Sequence, residues 1–312
     1  MKDQKITRRT FIRTSALAAG ALSVAPMEVL ARDNKDITKQ WNSRKKSGFT
    51  VWQIPSHKNN IGNSYVFRTT GGKVIVMDGG TPEEEFCLRG FIGALGNEVE
   101  AWFISHPHSD HMGALSAILA DPQDLKIKMI CHSRLPEAVI KCDGEDPLCR
   151  TFYSRLEAFD GEVIDMQEPG RIFTFDDMSL KILSVANDFT NNAYNNSSMI
   201  MRVWDRRKSL VFLGDAGVEC GRKVLDGPFR SDLDCEYLQM AHHGQNGCDE
   251  AFYRSIRFRA CLWPTPMWVW NNDTGNGFNT AHLHTVETRG WMDALGITEH
   301  HVSVRDGLWR LD

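Results

Sequence analysis

The sequence has no Cys-x-x-Cys pair, no internal repeat and no apolar run of the roughly 20 residues that a membrane-spanning helix needs. Its eight cysteines are scattered singly, which argues against a zinc ribbon or a dense disulfide framework. Basic residues do not exceed acidic ones, with 36 Lys and Arg against 40 Asp and Glu. Because such a chain has no bulk attraction for phosphate backbones, we expect no stable binding of nucleic acid.

One pair of cysteines is close enough in sequence to form a local bridge. Cys142 and Cys149 flank the turn-rich residues 143–148, which a disulfide could close in an exported protein. Single cysteines in a domain of this size are also common as small buried hydrophobic residues. Both alternatives stay open at this point.

The first 31 residues differ from the rest of the chain. Arg8 and Arg9 lie in a Thr-Arg-Arg-Thr-Phe-Ile pattern, followed by the mildly apolar residues 16–25 and the small-residue cleavage pattern of residues 29–31. The sequence therefore predicts a twin-arginine export signal at 1–31, a solvated linker at 32–47 and one globular domain at 48–312, without a transmembrane segment.

The predicted signal has consequences for location and charge. A twin-arginine translocase would carry the folded chain across the cytoplasmic membrane, to the periplasm or the extracellular space. The signal holds five basic and two acidic residues, so its removal would change the net charge from -4 to -7.

The densest group of potential metal ligands is His-Pro-His-Ser-Asp-His-Met-Gly, residues 106–113, directly after the apolar residues 101–104. We expect His106 and His108 to bind one cation, and Asp110 and His111 to face a second. Imidazole nitrogen and carboxylate oxygen suit borderline divalent metals such as zinc, and a coordination position left to water makes such a site catalytic.

Apolar runs and turn signals predict alternating strands and helices, as in an α/β protein. The predicted strands are 50–54, 64–68, 74–77, 101–104, 127–131, 180–185, 198–204, 209–213 and 237–240, and the predicted helices are 82–95, 112–119 and 285–295.

The pattern His-x-His-x-Asp-His after a strand resembles the signature of the metallo-β-lactamase superfamily. Three more segments resemble the family's motifs and follow in the family's order: residues 71–80 with Asp78-Gly79, residues 209–215 ending in Gly214-Asp215, and residues 237–244 ending in His-His-Gly. The resemblance implies a four-layer αββα sandwich with a metal site at one edge, where strand ends converge.

Within that superfamily the chain most resembles the C-terminal hydrolase domain of competence-type DNA-uptake channel proteins. The shared features are the Asn195-Asn196-Ser197 segment, the His-His-Gly turn, and a late Asn-rich loop with a His at the start of the last helix. The resemblance covers about residue 48 to the end of the chain.

The resemblance also implies individual roles. Asp215 would bridge two metals, and Asp78 would orient a ligand histidine through hydrogen bonds. His242 would bind metal with His243 beside it facing the substrate, although the reverse assignment stays open. Many members place another His between the first motif and the Gly-Asp pair, whereas residues 187–198 of this chain contain none. An Asn oxygen such as that of Asn196 is a weaker donor, so the site with His106 and His108 would hold zinc loosely or accept manganese.

Residues 265–284 form a long aromatic and amide-rich stretch that could roof the metal site. His282 or His284 would match the late His of the resembling branch, at a helix N-terminus that favours an anionic group. Alternatively, the tryptophans fill the core and the histidines cap the helix. The catalytic positions assigned from the sequence are Asp110, His243, His282 and His284.

The sequence therefore predicts an exported hydrolase with two divalent metals, zinc or manganese, that cleaves a phosphodiester or related ester in a small or short substrate. The alternatives are an iron-dependent oxidoreductase of the same fold, a lactone or β-lactam hydrolase, and a metal-binding protein without turnover. Ser109 replaces the Glu of the diiron branch, and Asp215 replaces the Cys or Ser of the better-known lactamases. No sequence feature specifies an oligomeric state.

Overall fold

The structure, a computed structural model, describes residues 47–312. The predicted export signal and residues 32–46 of the predicted linker lie outside the described residues. The strands are β1 (Phe49–Gln53), β2 (Ser64–Thr69), β3 (Val74–Asp78), β4 (Glu98–Val99), β5 (Ala101–Phe103), β6 (Lys126–Ile127), β7 (Met129–His132), β8 (Glu162–Asp165), β9 (Ile172–Phe175), β10 (Met178–Ile182), β11 (Met201–Trp204), β12 (Ser209–Phe212), β13 (Tyr237–Gln239), β14 (Ala260–Trp263), β15 (Glu299–Val302) and β16 (Trp309–Leu311).

The helices connect these strands. They are α1 (Glu85–Ala94), α2 (Ser109–Ala120), α3 (Glu137–Ile140), α4 (Asp146–Ala158), α5 (Ala193–Asn196), α6 (Val218–Leu225), α7 (Glu250–Arg254), α8 (Met267–Trp270), α9 (Thr285–Ala294) and α10 (Ser303–Asp306). Short 3₁₀ turns occur at Pro82–Glu84, Arg230–Leu233 and Ala241–Gly244. None of the helices among residues 47–312 is long and apolar enough to cross a membrane.

Two seven-stranded mixed sheets form the centre of the fold. The first has the order β16-β1-β2-β3-β5-β7-β8, with β3, β5, β7 and β8 parallel. The second has the order β15-β14-β13-β12-β11-β10-β9, with β12 to β15 parallel. The remaining pair, β4 and β6, forms a small parallel sheet.

The alternation of side chains along a strand explains the layers. In β3, Ile75 and Met77 join the apolar cluster between the two sheets, while Val74 and Val76 join the cluster beneath the helices. Because both faces are covered, β3 is a continuous apolar run, as expected for a buried strand in a parallel sheet. Helices α1, α2 and α4 cover the first sheet, and α6, α7 and α9 cover the second. The predicted four-layer αββα sandwich is confirmed.

The parallel strands bring the carboxyl ends of both sheets to one edge. Asp78 ends β3, His106 follows β5, and Asp215 and His243 follow β12 and β13. Ligand sites in α/β proteins commonly lie beyond the carboxyl ends of parallel strands. Helix α2 begins at Ser109, three residues earlier than predicted, so Asp110 and His111 lie in its first turn.

The two cysteines of the predicted local pair are separate in the structure. The thiol of Cys142 is exposed and donates to the carbonyl oxygen of Ala138. Cys149 is a free, buried thiol in the core beneath α4. The alternative of a small buried hydrophobic residue therefore describes Cys149.

Candidate metal centre

Two groups of potential ligands share one carboxylate at this edge. The three-ligand group consists of His106, His108 and Asp215, and the four-ligand group consists of Asp110, His111, Asp215 and His243. Within each group, one nitrogen or oxygen atom per residue lies within 4.8 Å of the others. Asp215 belongs to both groups, which is the geometry required of a residue that bridges two metals.

Buried polar atoms in the four-ligand group fit a metal ion. Nε2 of His111, Nε2 of His243 and Oδ1 of Asp215 are buried and have no hydrogen-bond partner of acceptable geometry. They nevertheless lie close to ionised neighbours, with 3.0 Å between His111 Nε2 and Asp215 Oδ1. Leaving such atoms unsatisfied costs about 1 to 3 kcal/mol each, and a cation bound between them would remove that cost.

The outer ring nitrogens explain why the inner nitrogens are available. Nδ1 of His111 donates to Asp78 Oδ2 at 2.8 Å, Nε2 of His108 donates to Asp143 Oδ2 at 3.2 Å, and Nδ1 of His243 donates to the carbonyl of Pro264 at 2.9 Å. An acceptor on one side of a neutral imidazole leaves the lone pair on the other nitrogen, which is the arrangement that metal-binding histidines need.

His106 is supported by hydroxyl groups instead. Its Nδ1 lies 3.1 Å from Ser105 Oγ and 3.4 Å from Ser198 Oγ. Its Nε2 lies 2.9 Å from Nδ1 of His108, so the two rings present neighbouring nitrogens to the same point. Two lone pairs at this distance repel each other unless a proton or a cation lies between them.

Asp78 lies at the centre of the supporting hydrogen bonds. Its Oδ1 accepts the backbone N–H of Ser105 at 2.7 Å, and its Oδ2 accepts from Asn63 Nδ2 and Ser105 Oγ in addition to His111. Its backbone has φ 56°, in the left-handed region. The buried carboxylate therefore holds a ligand histidine and the residue that precedes the metal-binding motif.

The electrostatic environment of the two groups differs. Burial opposes charge on His243, but the carboxylates of Asp215 and Asp110 raise its pKa to about 9. Against the same opposition from burial, Asp215, Asp110 and Asp78 raise the pKa of His111 well above its ordinary value. Burial and the nearby His111 lower the pKa of His106 well below the ordinary value. The four-ligand group is therefore the more negative of the two and attracts cations more strongly.

Gly214, at the end of β12, lies against Ser105, at the end of β5. Its φ is +56°, and a Cβ atom there would lie 2.9 Å from the Cβ of Ser105. A larger residue would push the end of β12 away from the metal-binding motif. This close approach explains the Gly-Asp pair in the sequence.

The assignment of the two adjacent histidines has to be corrected in favour of the reverse alternative. His243 is buried, and its Nε2 lies 2.8 Å from Asp110 Oδ2 and 3.4 Å from Asp215 Oδ2. The side chain of His242 is 21% exposed, and its Nε2 lies 3.7 Å from Asp215 Oδ2. His243 is therefore the histidine of the four-ligand group, in place of His242, which the sequence predicts. His242 lies at the opening of the metal site.

The turn that separates them is strained. His242 and His243 both have left-handed backbone angles, with φ 52° and 55°. Such conformations cost roughly 1 to 3 kcal/mol each and persist where the surroundings enforce them. Here Thr265 Oγ1 donates to the carbonyl of His243 at 2.6 Å, and the N–H of Gln245 donates to the carbonyl of His242 at 2.8 Å.

The side chain of Asn196, which the sequence predicts as an oxygen ligand, makes hydrogen bonds at the start of α6. Its Oδ1 accepts the N–H of Cys220 in the first turn of α6 at 3.1 Å. Its Nδ2 donates to the carbonyl of Asn191 and to Glu219 Oε2. These contacts give Asn196 a structural role, and a role as a metal ligand stays a prediction.

The late histidines lie outside both ligand groups. His284 is exposed and lies 3.6 Å from Glu287, and its N–H donates to Asn246 Oδ1. The carbonyl of Asn246 lies 3.2 Å from Nδ1 of His242, so His284 is connected to the opening through one residue. His282 is exposed. Trp270 packs edge-on against the buried Trp263, as the core-filling alternative predicts.

Comparison with known proteins agrees with the two-sheet fold. The family model described as "Metallo-beta-lactamase superfamily" matches residues 58–128, which include Asp78 and the motif from His106 to His111. The chain has the metallo-β-lactamase fold. A search of curated proteins found no match.

Two solved structures that resemble this chain are distant from it in sequence. CmlA, a diiron beta-hydroxylase from Streptomyces venezuelae, is 11% identical with a TM-score of 0.50, over 86% of this chain and 55% of that chain. At this identity the likeness to CmlA concerns the fold alone. The metallo-beta-lactamase fold protein YhfI from Bacillus subtilis is 13% identical with a TM-score of 0.48, over 84% of this chain and 99% of that chain.

Sequence reasoning missed several supporting residues. Ser105 could have been suspected from its place directly before His106, whereas Ser198, Pro264 and Asp143 have no local signal. Asp143 lies in the stretch between Cys142 and Cys149, which had been considered only as a disulfide loop.

Proposed function

We propose that this protein is a metal-dependent hydrolase that binds two divalent metal ions and cleaves a phosphodiester or related ester in a small substrate. The observation that carries the proposal is Asp215, whose carboxylate belongs to both ligand groups and lies 3.0 Å from His111. Two cations on either side of one carboxylate are the arrangement used by two-metal hydrolases.

The donors define which ions fit. The three-ligand group offers two nitrogens and a carboxylate, and the four-ligand group offers two nitrogens and two carboxylates. Neither group contains a thiolate, so the donor set accommodates zinc, manganese and iron. When bound, a pair of divalent ions supplies an activated water nucleophile and positive charge that stabilises the developing negative charge.

The residues at the opening supply recognition. His242 is the partly exposed imidazole next to Asp215, and Asn246 connects it to His284. Imidazole N–H groups can donate hydrogen bonds to the oxygens of an anionic ester. The acidic sequence implies that the substrate is recognised locally and is not attracted by a long-range positive field.

Export belongs to the same proposal. The Arg8-Arg9 signal supports transport by the twin-arginine translocase, with the metals acquired before export. The closer likeness to the competence-type hydrolase domains stays a prediction based on the Asn-Asn-Ser and His-His-Gly segments.

The proposal is tested by an activity screen. Metal-free protein is reconstituted with zinc, manganese or iron and assayed with an aryl phosphodiester, a lactone, nitrocefin and single-stranded DNA. We expect the aryl phosphodiester to be cleaved with zinc or manganese, and Asp215→Asn to abolish the cleavage. Exposed Asp160→Asn provides the matched control. Oxygen consumption by the iron form without any hydrolysis would favour the oxidoreductase alternative.

A further inference from the structure

Residues 137–146 and Tyr194 enclose the ring of His108. The Tyr194 ring stacks on His108 with centroids 5.1 Å apart and an interplanar angle of 28°. The hydroxyl of Tyr194 donates to the carbonyl of Ile140 at 3.1 Å. From the same segment, Asp143 Oδ2 accepts from His108 Nε2 at 3.2 Å. The ring is therefore restrained on one face and at its outer edge.

The carboxylate of Asp143 is itself held in place. Its Oδ1 accepts the N–H of Glu145 at 3.0 Å, which leaves Oδ2 directed at His108. Glu145 in turn accepts the N–H of Ser109 at 2.6 Å and the Ser109 hydroxyl at 2.8 Å. Two acidic residues of one turn thus contact two consecutive residues of the metal-binding motif.

The side of the imidazole that Asp143 occupies determines which nitrogen is free. With the proton on Nε2, the lone pair of His108 is on Nδ1, and Nδ1 is the atom 2.9 Å from Nε2 of His106. A carboxylate on the outer nitrogen fixes the ring orientation and makes the imidazole a stronger donor. This support matters more in the three-ligand group, because that group has one protein ligand fewer.

We propose that Asp143 is a positioning residue that sets the tautomer of His108 and strengthens metal binding by the three-ligand group. The inference rests on the proposed function, because it requires a metal ion bound to the three-ligand group. Its effect is local, because among the described contacts of the Asp143 side chain the only ligand residue is His108.

Zinc titration of the metal-free full-length chain tests the proposal. The wild type should bind two zinc ions in two steps of different affinity. Asp143→Ala should lower the zinc affinity of the weaker step by roughly 10 to 100-fold and leave the affinity of the tighter step unchanged. Asp143→Asn keeps an oxygen acceptor and should lower the affinity of the weaker step less. Asp146→Ala is the matched control, because Asp146 lies three residues further on, at the start of α4, and pairs with Arg150. Both zinc-binding steps of this variant should equal those of the wild type.

Nitrogen NMR of the histidine rings gives a readout that needs no metal. At a pH high enough for the ring of His108 to be neutral, His108 of the wild type should carry its proton on Nε2, and Asp143→Ala should populate both tautomers. Two zinc steps that are unchanged in Asp143→Ala would overturn the positioning role while leaving the proposed function intact. If Asp143→Ala shows the expected loss of zinc affinity but the wild type hydrolyses no ester, the proposed function would be overturned and the positioning role would stand. An Nδ1-protonated His108 in the wild type would overturn the inference directly.

Discussion

Nε2 of His243 lies 2.8 Å from Oδ2 of Asp110, although the two residues are 133 positions apart in the sequence and follow different sheets. Asp110 enters the site from the first turn of α2, and His243 enters it from the strained turn after β13. The four-ligand group therefore connects the two halves of the sandwich, and metal binding should stabilise the contact between them.

The adjacent histidines give a direct test of this geometry. His243→Ala should lose the metal of the four-ligand group, because it removes a buried inner nitrogen. His242→Ala should keep both metals and lose turnover, because its side chain lies at the opening. Metal content of the two purified variants distinguishes the roles. Retention of both metals in His243→Ala would restore His242 as the ligand.

The two buried carboxylates should behave differently. Asp215→Asn removes charge from both ligand groups, and we expect the loss of both metals and of activity. Asp78→Asn disturbs the support of His111, so metal affinity should fall by roughly 10 to 100-fold while saturating metal still binds. Competitive chelation measures both effects. Equal metal loss in the two variants would show that Asp78 is also a ligand.

Asn196 should matter for stability and not for metal affinity. Asn196→Ala leaves the buried N–H of Cys220 without its partner and removes one of the two side-chain hydrogen bonds to the carboxylate of Glu219, which keeps the one from Asn191. An unsatisfied buried group costs about 1 to 3 kcal/mol, so the free energy of unfolding should fall by a similar amount. Denaturant unfolding of the metal-free protein measures it. A selective loss of the weaker zinc step would instead support the original ligand assignment.

A buried histidine away from the ligand groups should make stability depend on pH. Burial lowers the pKa of His132 from 6.5 to about 4, with Asp165 opposing this shift and Arg134 adding to it. Between these values the unfolded chain binds a proton that the folded chain does not bind, so the His132 contribution to stability is lost as pH falls from 6.5 to 4.

The variant His132→Phe isolates this effect, because His132 packs beside the rings of Phe152 and Tyr153. The free energy of unfolding of the variant should decline less than that of the wild type between pH 6.5 and pH 4. Denaturant unfolding at several pH values measures the difference in unfolding free energy between the wild type and the variant. Other titrating groups contribute equally to both proteins, so their effects cancel in this difference. Parallel curves would mean that His132 titrates normally.

Much of the fold was predictable because its signals are local. Apolar runs such as residues 74–77 and 209–213 lie within one or two residues of the observed strands. Helix α2 was predicted to begin at Met112 because its apolar face begins there, whereas its first turn consists of the polar residues 109–111. Hydrophobic periodicity cannot detect a helical turn whose side chains serve the site.

The site was predictable where its ligands are neighbours in sequence. Residues 106–111 are recognisable from composition and from the strand before them, whereas the Gly214-Asp215 pair is recognisable only from its resemblance to the family's motif. The choice between His242 and His243 depends on two left-handed backbone angles, and the role of Asn196 depends on where α6 begins. The contact of Asp143 with His108 joins residues 35 positions apart. Such tertiary contacts leave no pattern in a single sequence.

The two ligand groups should hold two metal ions with unequal affinity. Metal analysis during graded chelation of the purified protein measures this difference. We expect close to two divalent ions per chain, lost in two stages, with the ion of the three-ligand group leaving first. A single tightly held iron ion with redox activity would contradict this expectation.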